Sequence, residues 1–273
     1  MRGATLEPAG LPRPGTATVR QLAALFRMEL IALSRNPAAS VIAVAIPLVV
    51  GIVRASRFEG GAAAGVAQMP LALAIAMVLG AHHHLITVYA ARRQELVLKR
   101  LRAGLPSDLT ILAGAASGTV AIYLAQALVI AGYGVLVLDL PVPANPPVLG
   151  LGVLLAVAVV AAASAALSAV TRSSEAAMMT SVPTMVGFLM VPGLLIPRGT
   201  LPPAYEAAAG YLPLGPFPEI IRRGWLGVDD SGGEVGFLGG VLGAAAPLAV
   251  LTGWLLIMAL AVRIFFRWEP RHG

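Results

Sequence analysis

The sequence predicts an all-α integral membrane protein with six transmembrane helices. Hydrophobic residues make up 58% of the 273-residue chain and charged residues only 12%, and the mean hydropathy is +0.85. Such a composition excludes an ordinary soluble domain. Six apolar stretches approach or exceed the roughly 20 residues that cross the hydrocarbon core of a bilayer, and they lie at about 37–53, 66–91, 109–138, 148–171, 176–196 and 237–265.

The placement of the basic residues predicts the orientation of these spans. With the N-terminus in the cytoplasm, 14 of the 19 Lys and Arg residues fall in cytoplasmic segments, and both termini are cytoplasmic. The other five are external, namely Arg54, Arg57, Arg198, Arg222 and Arg223. The opposite orientation would invert the positive-inside bias. This pattern favours a multi-pass membrane protein over a basic nucleic-acid-binding protein.

The N-terminal region divides into two parts. Residues 1–17 are rich in Pro, Gly and Ala without periodicity, which predicts a disordered tail. Over 18–36, apolar residues recur at helical spacing while Arg20 and Arg27 lie off that stripe. We expect an amphipathic helix on the inner leaflet that includes Arg20, Phe26 and Arg27; the alternative is a solvated helix with no membrane role. The six-helix domain then occupies 37–273.

A basic element separates the second and third spans. The segment Arg92–Arg102 carries five basic residues, including Lys99, the only lysine of the chain. Glu95 precedes Lys99 by four residues, the favourable spacing for a helical ion pair, and Gly104 and Pro106 end the helix. An ordered basic helix between two spans lies at the membrane surface and suits docking of another protein.

The segment before the last span predicts two short external helices. Prolines divide residues 197–236 so that neither apolar piece can span a membrane. Pro203–Tyr211 and Pro218–Leu226 are the expected helices. Glu219 is spaced to pair with Arg222 or Arg223.

Several kinds of chemistry are absent from the sequence. There is no Cys and no G-x-x-x-x-G-K-[ST] segment, so a thiolate site and nucleotide binding through that motif are excluded. No Asp, Glu, Lys or Arg lies near the middle of a span, whereas ion-coupled carriers usually need such a group. We therefore do not expect an enzyme, and we expect no catalytic residue, metal or cofactor in this chain; the missing mid-span charge also argues against an ion-driven carrier.

A histidine triplet is the exception among the apolar spans. His82, His83 and His84 lie in the inner half of the second span, and either line a polar inner cavity or make interhelical hydrogen bonds. Three consecutive residues spread around a helix, so metal chelation, which prefers an i, i+4 pair, is not expected. Tyr123 and Gln126 in the third span are further candidates for cavity lining.

Two segments resemble the permease subunit of ABC-2 type ABC transporters, particularly the daunorubicin-resistance-like drug exporters. The first is Arg92–Ser107, with "LKRLR" followed by a Pro turn, and the second is Tyr211–Gly227, "YLPLGPFPEIIRRGWLG". The resemblance implies a bacterial inner-membrane location, pairing with a second permease copy or paralogue, and separate ABC ATPase subunits that hold ATP and Mg. It also implies that the basic element is a coupling helix whose ATPase-docking residues are Arg93, Glu95, Lys99, Arg100, Arg102, Gly104 and Pro106.

The function implied is efflux of an amphipathic drug or lipid-like compound, in contact with membrane lipid. Three alternatives remain open from the sequence. They are a permease for polysaccharide or lipid-linked glycan, an ion-coupled secondary transporter, and a membrane scaffold without transport activity. Only 5% of the residues are aromatic, which favours the drug over the glycan.

Overall fold

A computed structural model describes residues 26–27, 31, 44–94, 108–171, 173, 175–229 and 232–266. Within these ranges every regular element is a helix, and no strand is present. Phe26, Arg27 and Ile31 are helical, with Phe26 half-buried and Arg27 exposed. Arg20 and most of the expected interfacial helix lie outside the described residues, so its contact with the membrane stays a prediction.

Eight helices are described in the main body of the chain. They are α1 (Ile46–Ala55), α2 (Ala62–Gln94), α3 (Asp108–Leu136), α4 (Pro146–Ser168), α5 (Ala177–Leu189), α6 (Pro203–Ala209), α7 (Phe217–Leu226) and α8 (Phe237–Phe265). Among the described residues, α2, α3, α4 and α8 are long and apolar enough to cross a membrane.

The helix α5 is shorter than the apolar stretch 176–196 that predicts it. It ends at Leu189, and the chain then turns, with the Gly193 amide donating to the Ile196 carbonyl at 2.8 Å. Gly193 has a φ of +88°, a conformation that costs glycine little. The 13 residues of α5 rise about 20 Å, less than the roughly 30 Å of the hydrocarbon core.

The central helix α2 is not a regular α-helix along its whole length. Between two α-helical parts, residues Met77–His82 form a π-helical segment. A π-turn holds more residues per turn and so changes the direction in which the following side chains point. The three histidines lie at this irregularity, at its end and just after it.

The core forms where α2 packs against its neighbours. Met69, Met77 and Leu85 of α2 are fully buried, and α7 fits against α2, α4 and α8. Trp225 of α7 is also buried, and its indole Nε1 donates to the Pro141 carbonyl at 2.7 Å. The short helices α6 and α7 thus confirm the two helices expected in this segment, and α7 is anchored to the core.

Candidate functional site

The histidine triplet connects three helices. His82 is fully buried. Its Nδ1 lies 2.8 Å from Ser164 Oγ of α4, and its Nε2 lies 2.7 Å from Thr184 Oγ1 of α5. His83 Nδ1 lies 2.9 Å from Ser181 Oγ, also in α5. Two of the three histidines therefore make interhelical hydrogen bonds, one of the two alternatives left open by the sequence.

The hydroxyl groups around His82 have fewer protons to donate than there are acceptors near them. Ser164 Oγ donates to its own helix at Val160 O, 2.7 Å away, and Thr184 Oγ1 donates to Ser181 O at 2.8 Å. A neutral imidazole has one donor and one acceptor nitrogen. One of the two hydroxyls must therefore turn from its backbone carbonyl to donate to His82, so the network has two alternative arrangements of protons.

His82 also borders an open apolar cleft of about 810 Å³. Residues of α4, α5 and α8 line it, including Phe188 of α5 and Trp254 of α8. Phe188 meets the His82 ring edge-on, with centroids 5.2 Å apart. Apart from His82, Thr184 and the Trp254 indole, the described residues that line the cleft are apolar. Such a lining suits a molecule with a long hydrocarbon part and a small polar part.

The other candidate cavity residues lie elsewhere. Tyr123 is buried in the core, and its hydroxyl has no hydrogen-bond partner among the described residues. Gln126 Nε2 donates to the Val44 carbonyl at 2.8 Å and ties α3 to the start of α1. His84 is half-buried. None of these three belongs to the described residues that line the cleft.

Of the predicted docking residues, only Arg93 is described. It is 1% exposed, and its guanidinium donates to the carbonyl of Ser168 at 2.8 Å and to that of Thr171. Ser168 is the last residue of α4, where the last four carbonyls have no partner within the helix, and Thr171 lies three residues further on. Glu95, Lys99, Arg100, Arg102, Gly104 and Pro106 lie outside the described residues, and their role stays a prediction.

The opposite end of the molecule holds a charged cluster on Glu219. The carboxylate binds Arg222 at 2.6 Å and Arg223 at 2.7 Å, which confirms the expected pairing, and also Arg198 at 3.1 Å. Burial alone would raise the pKa of Glu219. Hydrogen bonds from Arg222 and Arg223, together with the charges of Arg222 and Arg198, outweigh this and lower it to about 2.

Comparison with known families decides the class of protein. The model of the ABC-2 type transporter family matches residues 20–224, more than half of the chain. The chain belongs to the ABC-2 type transporter family. It is therefore a multi-pass membrane protein and a transport subunit, in a family whose members normally work with ABC ATPase partners. Neither a curated protein nor a solved structure matches this ABC-2 chain.

The sequence alone did not identify the partners of His82 or of Arg93 in this ABC-2 protein. Ser164 is 82 residues from His82, and Thr184 is 102 residues away. One signal was present, because Ser181 and Thr184 are three residues apart and so share a helical face. Nothing in the spacing indicates that Arg93 caps a helix ending 75 residues later.

Proposed function

We propose that this chain is the permease subunit of an ATP-driven exporter of the daunorubicin-resistance-like type. It moves an amphipathic drug or lipid-like compound out of a bacterial cell, and ATP is hydrolysed on a separate subunit. In this proposal α1 and α5 complete six spans, both termini are cytoplasmic, and a second copy or a paralogue completes the complex. The family match supports the transport class, and the cleft beside His82 supports the substrate class.

The cleft favours an amphipathic compound over a glycan. A sugar presents many hydroxyls, and each one buried without a partner costs free energy. The cleft offers few hydrogen-bonding side chains: His82 and Thr184 are bonded to each other, and the Trp254 indole donates to the Tyr211 carbonyl. An apolar compound needs few such partners and gains from the contact area.

In this proposal, the ATPase drives the permease through the basic element Arg92–Arg102, which begins at the end of α2. Arg93 is buried against the end of α4, so its position supports an anchoring role, while Lys99, Arg100 and Arg102 contact the ATPase. A push on this element would reach α2 and α4 together, because Arg93 joins them directly.

Docking is tested by co-purification with the ATPase subunit. Replacing Lys99, Arg100 and Arg102 with Ala should abolish recovery of the ATPase while membrane insertion is retained. A matched control replaces Arg263, Arg267 and Arg271 with Ala, which removes three charges from the same predicted side. Equal recovery of the ATPase with both triple variants would contradict the docking assignment.

Transport is tested in proteoliposomes with both subunits. ATP should drive loss of a fluorescent amphipathic cation, and Gly187→Leu should reduce it several-fold, because Gly187 lines the cleft and a Cβ there meets open space. Gly150→Leu, an exposed position with equally open space, is the matched control. Transport that survives ATP depletion and stops with the proton gradient would favour the ion-coupled alternative, and absence of any substrate-dependent efflux would favour a scaffold.

A further inference from the structure

A second cavity lies between α1, the first turns of α2, the turn after α5, and α7. Its volume is about 630 Å³, and Arg54, Arg198 and Arg222 line it. The rest of the wall is largely apolar and includes Val66, Leu71 and Leu194. The lining of this pocket thus combines three arginines with apolar side chains.

The three arginines of the pocket differ in their described partners. Arg198 and Arg222 share the single carboxylate of Glu219 with Arg223. Arg54 differs from these three. In the described part of the chain it makes no ion pair, and its one hydrogen bond runs from Nη2 to the neutral Gln68 Oε1 at 2.9 Å.

The guanidinium of Arg54 is not fully hydrogen-bonded by the described residues. Its Nε is buried and has no acceptor among the described residues. A buried donor without a partner is costly, and more so when it belongs to a charged group. An anion with several oxygens would give Arg54 Nε an acceptor and pair the charge of its guanidinium.

The sequence adds an independent argument. Charge counting assigns five arginines to the outer side, against the general bias for basic residues to stay inside. Three of these five line the pocket, and Arg223 binds the same Glu219. Four of the five basic residues that run against the bias therefore lie in or beside this pocket, and Arg57 is the exception.

We propose that this pocket binds the phosphate group of an anionic lipid. Guanidinium groups match phosphate oxygens with paired, charge-assisted hydrogen bonds. Arg54, Arg198 and Arg222 hold the phosphate, and the apolar wall receives the first part of an acyl chain. The apolar wall favours a lipid over a soluble phosphate compound. The site needs neither the ATPase nor a transported drug, so it goes beyond the proposed function.

The test measures lipid binding to the purified chain by native mass spectrometry. The probes are dioleoyl phosphatidylglycerol, dioleoylglycerol, which has the same chains without phosphate, and inorganic phosphate as a competitor. Arg54→Gln should weaken phosphatidylglycerol binding about tenfold, because the charge-assisted hydrogen bonds of one guanidinium to the phosphate are lost. Arg57→Gln is the control, because Arg57 is exposed, lies three residues further on, and does not line the pocket.

Each possible result of this binding experiment either supports or overturns the lipid site. Selective loss of phosphatidylglycerol in Arg54→Gln, with partial retention in Arg54→Lys, supports the site. Displacement of the lipid by millimolar phosphate supports the same site and identifies a soluble phosphate as an alternative source. Equal binding of dioleoylglycerol, or equal effects of the Arg54→Gln and Arg57→Gln variants, overturns the proposal. Because the chain is measured alone, failure of the transport assay leaves this result unaffected.

Discussion

The guanidinium of Arg93, at the end of α2, donates a 2.8 Å hydrogen bond to the carbonyl of Ser168, the last residue of α4. Its positive charge therefore lies at the negative end of the α4 dipole, where the Ser168 carbonyl also accepts from the Thr171 amide at 3.2 Å. These hydrogen bonds join the last described turn of α2 to the end of α4. The basic element begins at this junction.

Removing this cap should destabilise the end of the molecule where α2 and α4 meet. Arg93→Ala should cost about 2–4 kcal/mol, because two hydrogen bonds from a buried charge are lost. Arg93→Lys keeps the charge but cannot reach both carbonyls and should recover only part of the loss. Thermal unfolding in detergent measures the change, with the exposed Arg57→Ala as control. An equal melting temperature for the Arg93→Ala and Arg57→Ala proteins would contradict the capping role.

Substitution of His82 should lower the stability of the protein more than substitution of His84. His82→Ala removes the bonds to Ser164 and Thr184, and hydrogen bonds between membrane helices contribute about 0.6–1.7 kcal/mol each. We therefore expect a loss of about 1–3 kcal/mol for the pair. His84 makes no hydrogen bond among the described residues, so His84→Ala should change stability much less.

Denaturation of both variants in mixed detergent micelles gives the comparison. Ser164→Ala provides a second measurement, since it should remove roughly half of the effect of His82→Ala. Equal stability of the His82→Ala and His84→Ala proteins would mean that the network makes no net contribution.

Run length was enough to predict the long helices. The stretches 66–91, 109–138 and 237–265 correspond to α2, α3 and α8 within a few residues, because a bilayer-spanning helix leaves a long uninterrupted apolar signal. The end of α5 was not predicted. Pro192 and Gly193 are apolar enough to extend the run, although their backbone turns away from the helix.

The contacts between helices could not be predicted from the sequence, for a different reason. The pairing of His82 with Ser164 and Thr184 depends on which faces of α2, α4 and α5 meet, and an apolar run is hydrophobic on every side. The ion pairs of Glu219 with Arg222 and Arg223 could be predicted because these residues are close in sequence. The third partner, Arg198, could not, because it lies in the turn after α5.

The Glu219 cluster should make stability depend on pH in the acidic range. The pKa of Glu219 is lowered from 4.5 to about 2 in the folded protein. A lowered carboxyl pKa means that the folded state favours the ionised form. Its contribution is present above about pH 4.5 and is lost as the pH falls toward 2.

Glu219→Gln should therefore be less stable than the parent at pH 7, and the difference should shrink between pH 4.5 and 2. Unfolding monitored by Trp fluorescence across this range measures both effects. Glu59→Gln, at an exposed position, serves as control and should follow the parent. A difference between parent and Glu219→Gln that stays constant with pH would contradict this account.

Two glycines of α4 should differ sharply in their tolerance of a methyl group. A Cβ on Gly152 would overlap Ile220 Cγ2 of α7, a β-branched side chain with little freedom to move. A Cβ on Gly150 meets nothing within 4 Å. Gly150→Ala should be neutral or stabilising by up to about 1 kcal/mol through helix propensity. Gly152→Ala should instead cost about 1–3 kcal/mol through overpacking.

The comparison isolates one contact, because both variants make the same chemical change two residues apart on one helix. Shortening the side chain with Ile220→Val should not rescue Gly152→Ala. Valine retains a γ-methyl group at the place where the new Cβ would overlap Ile220. Ile220→Ala should remove the overlap and make the Gly152→Ala substitution less costly. Additive effects of Gly152→Ala and Ile220→Ala in the thermal unfolding of the double variant would show that the two residues do not touch.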